Sequence, residues 1–161
     1  MRRRHLHSSC EGYCTKVFLV NPPFTMEDLV GTTKSMRGVM NIVQPLGLGY
    51  LAAVMEQAGH DVIVEDCQCL GTSHAELNSK IAKYSPDIVG ISSTTTTFGS
   101  SIRTATLSKS ELPDTTVVLG GAQVCSLPEE TMSQRCFDIG VYGEGEKTIL
   151  ELLTQMEERD G

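Results

Sequence analysis

No apolar run in the chain approaches the ~18 residues needed to cross a bilayer, and Arg2-Arg3-Arg4 leads into His5, His7 and Ser8, not into an apolar signal region. A soluble, cytoplasmic protein is therefore expected, without membrane partners. Length excludes a multidomain enzyme, because single domains cluster at roughly 100–200 residues and this chain has 161. Basic residues are scarce in the body of the chain. Met1–Cys14 holds three arginines against Glu11, whereas the remainder has ten Lys and Arg against nineteen Asp and Glu, for a net charge of -7. A duplex-binding surface needs clustered Lys and Arg to neutralise phosphates, so nucleic acid is not an expected partner. The six cysteines, Cys10, Cys14, Cys67, Cys69, Cys125 and Cys136, are too dispersed for the disulfide framework of a small secreted domain. Reduced thiols follow.

With 40% hydrophobic and 20% charged residues, the chain can bury a core. The division expected is a flexible tail over residues 1–14 and one domain over 15–161. Past the tail, short runs rich in β-branched residues alternate with helix-like stretches, the pattern of βαβ units. The strands expected are Lys16–Val20, Asp61–Glu65, Asp87–Ser92, Thr115–Leu119 and Phe137–Tyr142, each nearly continuous in hydrophobicity, as parallel strands covered on both faces must be. Leu46–Gln57 places Leu48, Leu51, Ala52 and Met55 on one helical face, after Pro45 and before Gly59. Ser73 heads a Ser-x-x-Glu capping box with Glu76 and opens a helix to Tyr84. Further helices are predicted over Ser100–Ser110, Pro128–Gln134 and Glu146–Arg159. Right-handed crossovers then give an α/β fold, a doubly wound five-stranded parallel sheet in the flavodoxin-like, Rossmann-like order 2-1-3-4-5.

Such sheets bind ligands at the carboxyl ends of their strands. Strand one ends in Asn21-Pro22-Pro23-Phe24 and an irregular stretch to Gln44, far longer than the ~2–6 residues usual for such a loop. Strand three ends in Ser92-Ser93-Thr94-Thr95-Thr96-Thr97, strand four in Gly120-Gly121, and strand five in Gly143-Glu144-Gly145-Glu146. Hydroxyls supply hydrogen bonds, and glycines let backbone approach a bulky ligand. Equally, each glycine pair can be an ordinary turn. No Lys, Arg or His lies in Asn21–Phe24, Ser92–Thr97, Gly120-Gly121 or Gly143–Glu146, which argues against a polyphosphate and for a large, nearly neutral ligand. No nucleophile stands beside a base, so a binder is expected and no catalytic residue is assigned. Leu46-Gly47-Leu48-Gly49-Tyr50-Leu51-Ala52 contains a G-x-G-x-x-A pattern with Glu65-Asp66 downstream, but a dinucleotide fingerprint must follow strand one directly. A receiver domain lacks its acidic residues here, and a flavodoxin its phosphate loop.

In order along the chain come Val20-Asn21-Pro22-Pro23-Phe24; Pro45-Leu46-Gly47-Leu48-Gly49-Tyr50-Leu51-Ala52-Ala53; Ala58-Gly59-His60-Asp61-Val62; Pro86-Asp87-Ile88-Val89-Gly90-Ile91-Ser92; Leu119-Gly120-Gly121; Leu127-Pro128-Glu129-Glu130; and Gly143-Glu144-Gly145-Glu146. From Lys16 to Arg159 this set resembles the N-terminal cobalamin (B12)-binding domain of B12-dependent radical SAM enzymes, the class of many methyltransferases and of the anaerobic magnesium-protoporphyrin monomethyl ester cyclase. The resemblance implies cobalamin as cofactor. It implies that Ser92, Ser93, Thr94, Gly120 and Gly121 line a slot for the nucleotide tail, with Asn21, Pro22, Gly143, Glu144 and Gly145 bordering the corrin. It also implies a radical SAM catalytic domain as partner, in cis or in trans, where cobalt takes a methyl from S-adenosylmethionine and passes it on.

Three departures accompany the resemblance. The Asp-x-His-x-x-Gly motif that supplies a lower cobalt ligand in other B12 proteins is absent, and the first loop holds only Met26, Met36 and Met40 as weak donors, so base-off cobalamin without a protein histidine is expected. Many relatives have Pro-His where this chain has Ala122-Gln123. The chain ends where the barrel would begin, and Cys10-x-x-x-Cys14 has Val17 in place of a third thiolate, so no iron–sulfur cluster, zinc or other protein-bound metal is expected. The module is expected to be an excised domain or a stand-alone relative. A rival from another class is a non-catalytic interaction or regulatory domain that has lost its ligand. Valine at Gly120 or Gly121 is expected to abolish corrin binding in a natively folded chain.

Overall fold

The computed structural model describes residues 14–24 and 44–160. The Arg/His/Cys tail to residue 13 and the part of the first loop that holds Met26, Met36 and Met40 lie outside the described residues. The predicted strands form β1 (Lys16–Asn21), β2 (Asp61–Asp66), β3 (Ile88–Ser92), β4 (Thr116–Gly120) and β5 (Ile139–Gly140). They make one parallel sheet in the order β2-β1-β3-β4-β5, as the sequence pattern requires.

The helices are α1 (Leu46–Gln57), α2 (Cys67–Leu70), α3 (His74–Tyr84), α4 (Phe98–Glu111), α5 (Ala122–Ser126), α6 (Pro128–Met132) and α7 (Glu146–Asp160). Alternate residues of each strand enter opposite layers. Phe18, Val20, Val89, Ile91, Val117 and Leu119 pack with Leu77 and Ile81 of α3, Ala105 of α4 and Val124 of α5. Val17, Leu19, Ile88, Val118 and Val141 pack with Leu48, Ala52 and Met55 of α1 and with Ile149 and Leu153 of α7. Both faces are covered, which is why β1 and β3 read as unbroken apolar runs.

The edges differ. On β2, Glu65 is buried but meets Lys80 Nζ and Thr72 Oγ1, each at 2.6 Å, so its charge is paired where it leaves water. Next to it, burial and then the Glu65 charge push the Cys67 thiol up to about 12, making it a core thiol and not a reactive one. At the other edge β5 is shorter than the expected Phe137–Tyr142. The Asp138 and Val141 N–H groups still donate to Val117 and Leu119 carbonyls at 2.9 and 2.8 Å, but Phe137 N–H is taken by Gln134 in the preceding turn. Tyr142 has already left for solvent, 71% exposed.

Two short helices, α2 and α5, escaped the periodicity because neither completes two turns. The Asp66 carboxylate caps α2 by accepting from Cys69 N–H at 3.3 Å, and Gly71 closes it at φ 65°. The predicted capping box of α3 is present: Ser73 Oγ accepts from Glu76 N–H at 3.3 Å and Glu76 Oε2 accepts from Ser73 N–H at 2.8 Å.

Candidate functional site

At the amino edge of the sheet side chains close the fold. Asp87 Oδ2 accepts from Lys16 N–H at 2.9 Å and Asp138 Oδ2 from Val117 N–H at 2.7 Å. His60 also stands at this edge, its Nδ1 accepting from Thr15 N–H at 3.4 Å, and burial lowers its pKa. It cannot reach a ligand on the opposite edge.

The carboxyl edge is built largely from backbone, hydroxyls and bare glycine. Ser93 is fully buried and works as a strut: its N–H donates to the Gly120 carbonyl at 2.9 Å, its carbonyl accepts from Gln123 N–H at 3.1 Å, and its hydroxyl accepts from Ser101 Oγ at 3.0 Å. Beside it the chain turns through Gly121 at φ 97°, where a Cβ would stand 2.6 Å from the Ser93 carbonyl oxygen. Glycine is obligatory there for two reasons, conformation and space. Gly120 is different. Its φ is ordinary, and the nearest atom to its absent Cβ is Val141 Cβ at 4.0 Å. Nothing within the described fold requires glycine at position 120.

Ser92 is half-buried next to Gly120, with which it is paired across the sheet. Thr94, Thr95 and Thr96 are exposed in a turn closed by Thr97, whose Oγ1 accepts from Thr94 N–H at 2.9 Å and whose N–H donates to the Thr94 carbonyl at 3.1 Å. Asn21 is tied sideways: its amide nitrogen donates to Asp66 Oδ1 at 2.8 Å and its oxygen accepts from Gln68 Nε2 at 3.1 Å. Pro22 and Pro23 are buried, and the Pro23 carbonyl accepts from the Ser100 hydroxyl, which lies 3.0 Å from His74 Nε2. The first strand thus ends in a braced segment.

On the far side, Gly143 at φ 78° donates its N–H to Cys125 Sγ at 3.3 Å, Glu144 is exposed, and Gly145 lies where a Cβ would meet Leu51 Cδ2 at 3.2 Å. The structure therefore brings Ser92, Thr94, Gly120 and the Gly143–Gly145 turn to one edge, with Asn21 and Pro22 along it and Ser93 and Gly121 supporting from beneath. Sequence reading missed the outer face of α1. Gly47 and Gly49 have nothing within 4 Å of their absent Cβ positions, and Leu46 and Tyr50 are 67% and 65% exposed. Each helical glycine costs about 1 kcal/mol relative to alanine, and internal packing does not account for either. An apolar hollow of about 340 Å³ beside this face is lined by Pro45, Leu46, Val64 and Leu70.

Among the described residues no group of three or more His, Cys, Asp or Glu could hold a metal ion, and no helix is long and apolar enough to cross a membrane. Gln123, where many relatives were expected to have histidine, is buried, and its Nε2 donates to Thr131 Oγ1 on α6 at 3.3 Å. It takes part in helix packing.

Residues 36–153 match the family model of the B12 binding domain. The chain belongs to the B12-binding domain family. Over 141 residues it is 36% identical to an uncharacterized methyltransferase of Pyrococcus horikoshii, covering 86% of this chain and 28% of that protein. It is 30% identical over 155 residues to the cytidylyl-2-hydroxyethylphosphonate methyltransferase of Streptomyces wedmorensis, covering 84% and 27%. Among solved structures it superposes with TM-score 0.72 and 25% identity on the radical S-adenosylmethionine methyltransferase TsrM of Kitasatospora setae, solved with cobalamin and a [4Fe-4S] cluster bound, covering 91% of this chain and 25% of TsrM. The fold is shared with the cobalamin-dependent S-adenosylmethionine radical enzyme OxsB, with TM-score 0.71 at 18% identity. The chain spans only about a quarter of the length of the curated relatives it matches.

Proposed function

We propose that the chain binds cobalamin across the carboxyl edge of its sheet, in the base-off form, as the cofactor-holding module of a B12-dependent radical SAM methyltransferase. The observation that carries this reading is the contrast between Gly121, fixed by the fold, and Gly120, whose bare side is open beside aliphatic Val141. A Cβ at position 120 would occupy the space that a planar nucleotide base needs. The donor set fits the group: Ser92 and Thr94 hydroxyls and backbone amides suit a single phosphodiester and neutral amide arms, and Ser92–Thr97, Gly120-Gly121 and Gly143–Glu146 bear no lysine or arginine for a polyanion.

In this reading Ser92, Thr94 and Gly120 line the tail slot, Ser93 and Gly121 hold its floor, and Asn21, Pro22, Gly143, Glu144 and Gly145 border the corrin. The glycine face of α1 lets the cofactor's periphery approach backbone. Cobalamin, when bound, supplies a cobalt centre able to carry a methyl group. The chain's own part is to orient the corrin and screen one of its faces from water; the S-adenosylmethionine and iron–sulfur chemistry belongs to a radical SAM domain acting with it. The rival reading is a non-catalytic interaction or regulatory domain that has lost its ligand. At the Ala122-Gln123 departure, Gln123 Nε2 donates to Thr131 Oγ1 and its backbone N–H to the Ser93 carbonyl.

Titration with hydroxocobalamin followed by gel filtration tests the proposal. Corrin absorbance should co-elute with micromolar protein and be lost with Gly120→Val. Absence of corrin from the wild-type peak would favour the ligand-free rival.

A further inference from the structure

Two helices open at the carboxyl edge on either side of the end of β1: α3 follows β2 and α4 follows β3, and β1 lies between those strands. Both belong to one layer, where Leu77 and Ile81 of α3 and Ala105 of α4 share an apolar cluster with Phe18 and Val20. In their first turns His74 Nε2 stands 3.0 Å from Ser100 Oγ and 3.4 Å from the Ser100 carbonyl oxygen, and the same hydroxyl donates to the Pro23 carbonyl. A hydroxyl has one hydrogen, and a carbonyl can only accept. The Ser100 hydrogen is therefore committed to Pro23, and both Ser100 oxygens face His74 as acceptors. His74 must carry a proton on Nε2. The same proton count excludes a nucleophilic serine, because Oγ has no hydrogen left for the histidine to take.

The relay also has a direction in the fold. Pro23, at its far end, follows Asn21-Pro22 out of β1, and Gln68 Nε2 of α2 holds the same segment through the Pro22 carbonyl at 3.4 Å. Ser100 and His74 stand on the α3/α4 side of the sheet, whereas the open side of Gly120 faces Val141 in the opposite layer, with α1 and α7. We propose that His74 and Ser100 are positioning residues of the cobalamin site: the relay from Nε2–H through Oγ–H to the Pro23 carbonyl holds the exit of β1 on the α3/α4 side, which fixes Pro22 at the border of the corrin and keeps the exit clear of the slot beside Gly120. The inference rests on the cobalamin reading above and adds two residues that act through Pro23.

Titration with hydroxocobalamin, read from the corrin spectrum, tests the relay. Ser100→Ala and His74→Phe each remove one of its hydrogen bonds and should weaken binding about fivefold. The double variant should bind no more weakly than either single one, because the two residues act as a unit. His74→Gln, which presents a side-chain N–H at a similar reach, should bind nearly as the wild type does. If only the bulk of the ring mattered, phenylalanine would serve and glutamine would not. Ser100→Ala guards against loss of fold, since it removes one oxygen and favours the helix. Long-range 1H–15N correlation of the wild-type imidazole, at alkaline pH where it is neutral, should place the proton on Nε2. Unchanged affinity in Ser100→Ala, wild-type affinity in His74→Phe, failure of glutamine to substitute, or a proton on Nδ1 would overturn the relay and leave the cobalamin site standing. Failure of the wild-type chain to bind hydroxocobalamin would overturn both.

Discussion

Gly120 and Gly121 are neighbours in sequence that lack a side chain for opposite reasons. At Gly121 the φ of 97° and the 2.6 Å approach to the Ser93 carbonyl mean that any Cβ strains the turn and pushes β3 from β4. Gly121→Ala should cost about 1–3 kcal/mol, lowering the melting temperature by several degrees for a chain of this size. Gly120→Ala meets only Val141 at 4.0 Å and should leave melting nearly unchanged while weakening corrin binding. Calorimetry and corrin retention on the two variants read the contrast, and equal melting losses would refute it. The sequence-based expectation that both positions tolerate valine within a native fold is corrected here for Gly121. Its Gly-Gly pattern marks a close approach, but only the structure tells approach to Ser93 from approach to a ligand.

Among the elements, α1 shows most clearly where stability and binding separate. Gly47 and Gly49 lie in its first turns with open space around them, so Gly47→Ala and Gly49→Ala should each stabilise the chain by about 0.5–1 kcal/mol. Each should also weaken cobalamin retention, because the added methyl stands on the face that the cofactor approaches. Thermal melts with and without hydroxocobalamin check this; stabilisation with undiminished retention would remove α1 from the site. The five strands, their order and the helices α1, α3, α4 and α7 were legible because near-continuous apolar runs and period-3.6 patterns survive burial, and α6 because Pro128 stands at its start. The length of β5 was not, since hydrophobicity there continues through Phe137 and Val141 although the first is claimed by a turn. Nor were α2 and α5, which are too short to show a period. Ser93 reads as one more hydroxyl in a row, yet the fold uses it as a strut; no local signal distinguishes it from Ser92.

Over the whole molecule, two apolar layers leave function to one edge of the sheet, and the amino edge, with His60, Asp87 and Asp138, closes the fold on itself. Family membership and fold agree with the ordered motifs, while the proposed assignment of residues to tail and corrin comes from the resemblance, with the open side of Gly120 in its support. The central claim is a tail drawn out of the cobalt sphere into the slot beside Gly120, with no protein imidazole in its place. Electron paramagnetic resonance of the Co(II) cofactor bound to the chain tests it most directly, because an axial nitrogen splits each cobalt line into three. Lines without nitrogen splitting are the expected result. Threefold splitting would contradict it, and repeating the spectrum with uniformly 15N-labelled protein would tell a histidine, which would then give doublets, from a nucleotide base that never left the metal.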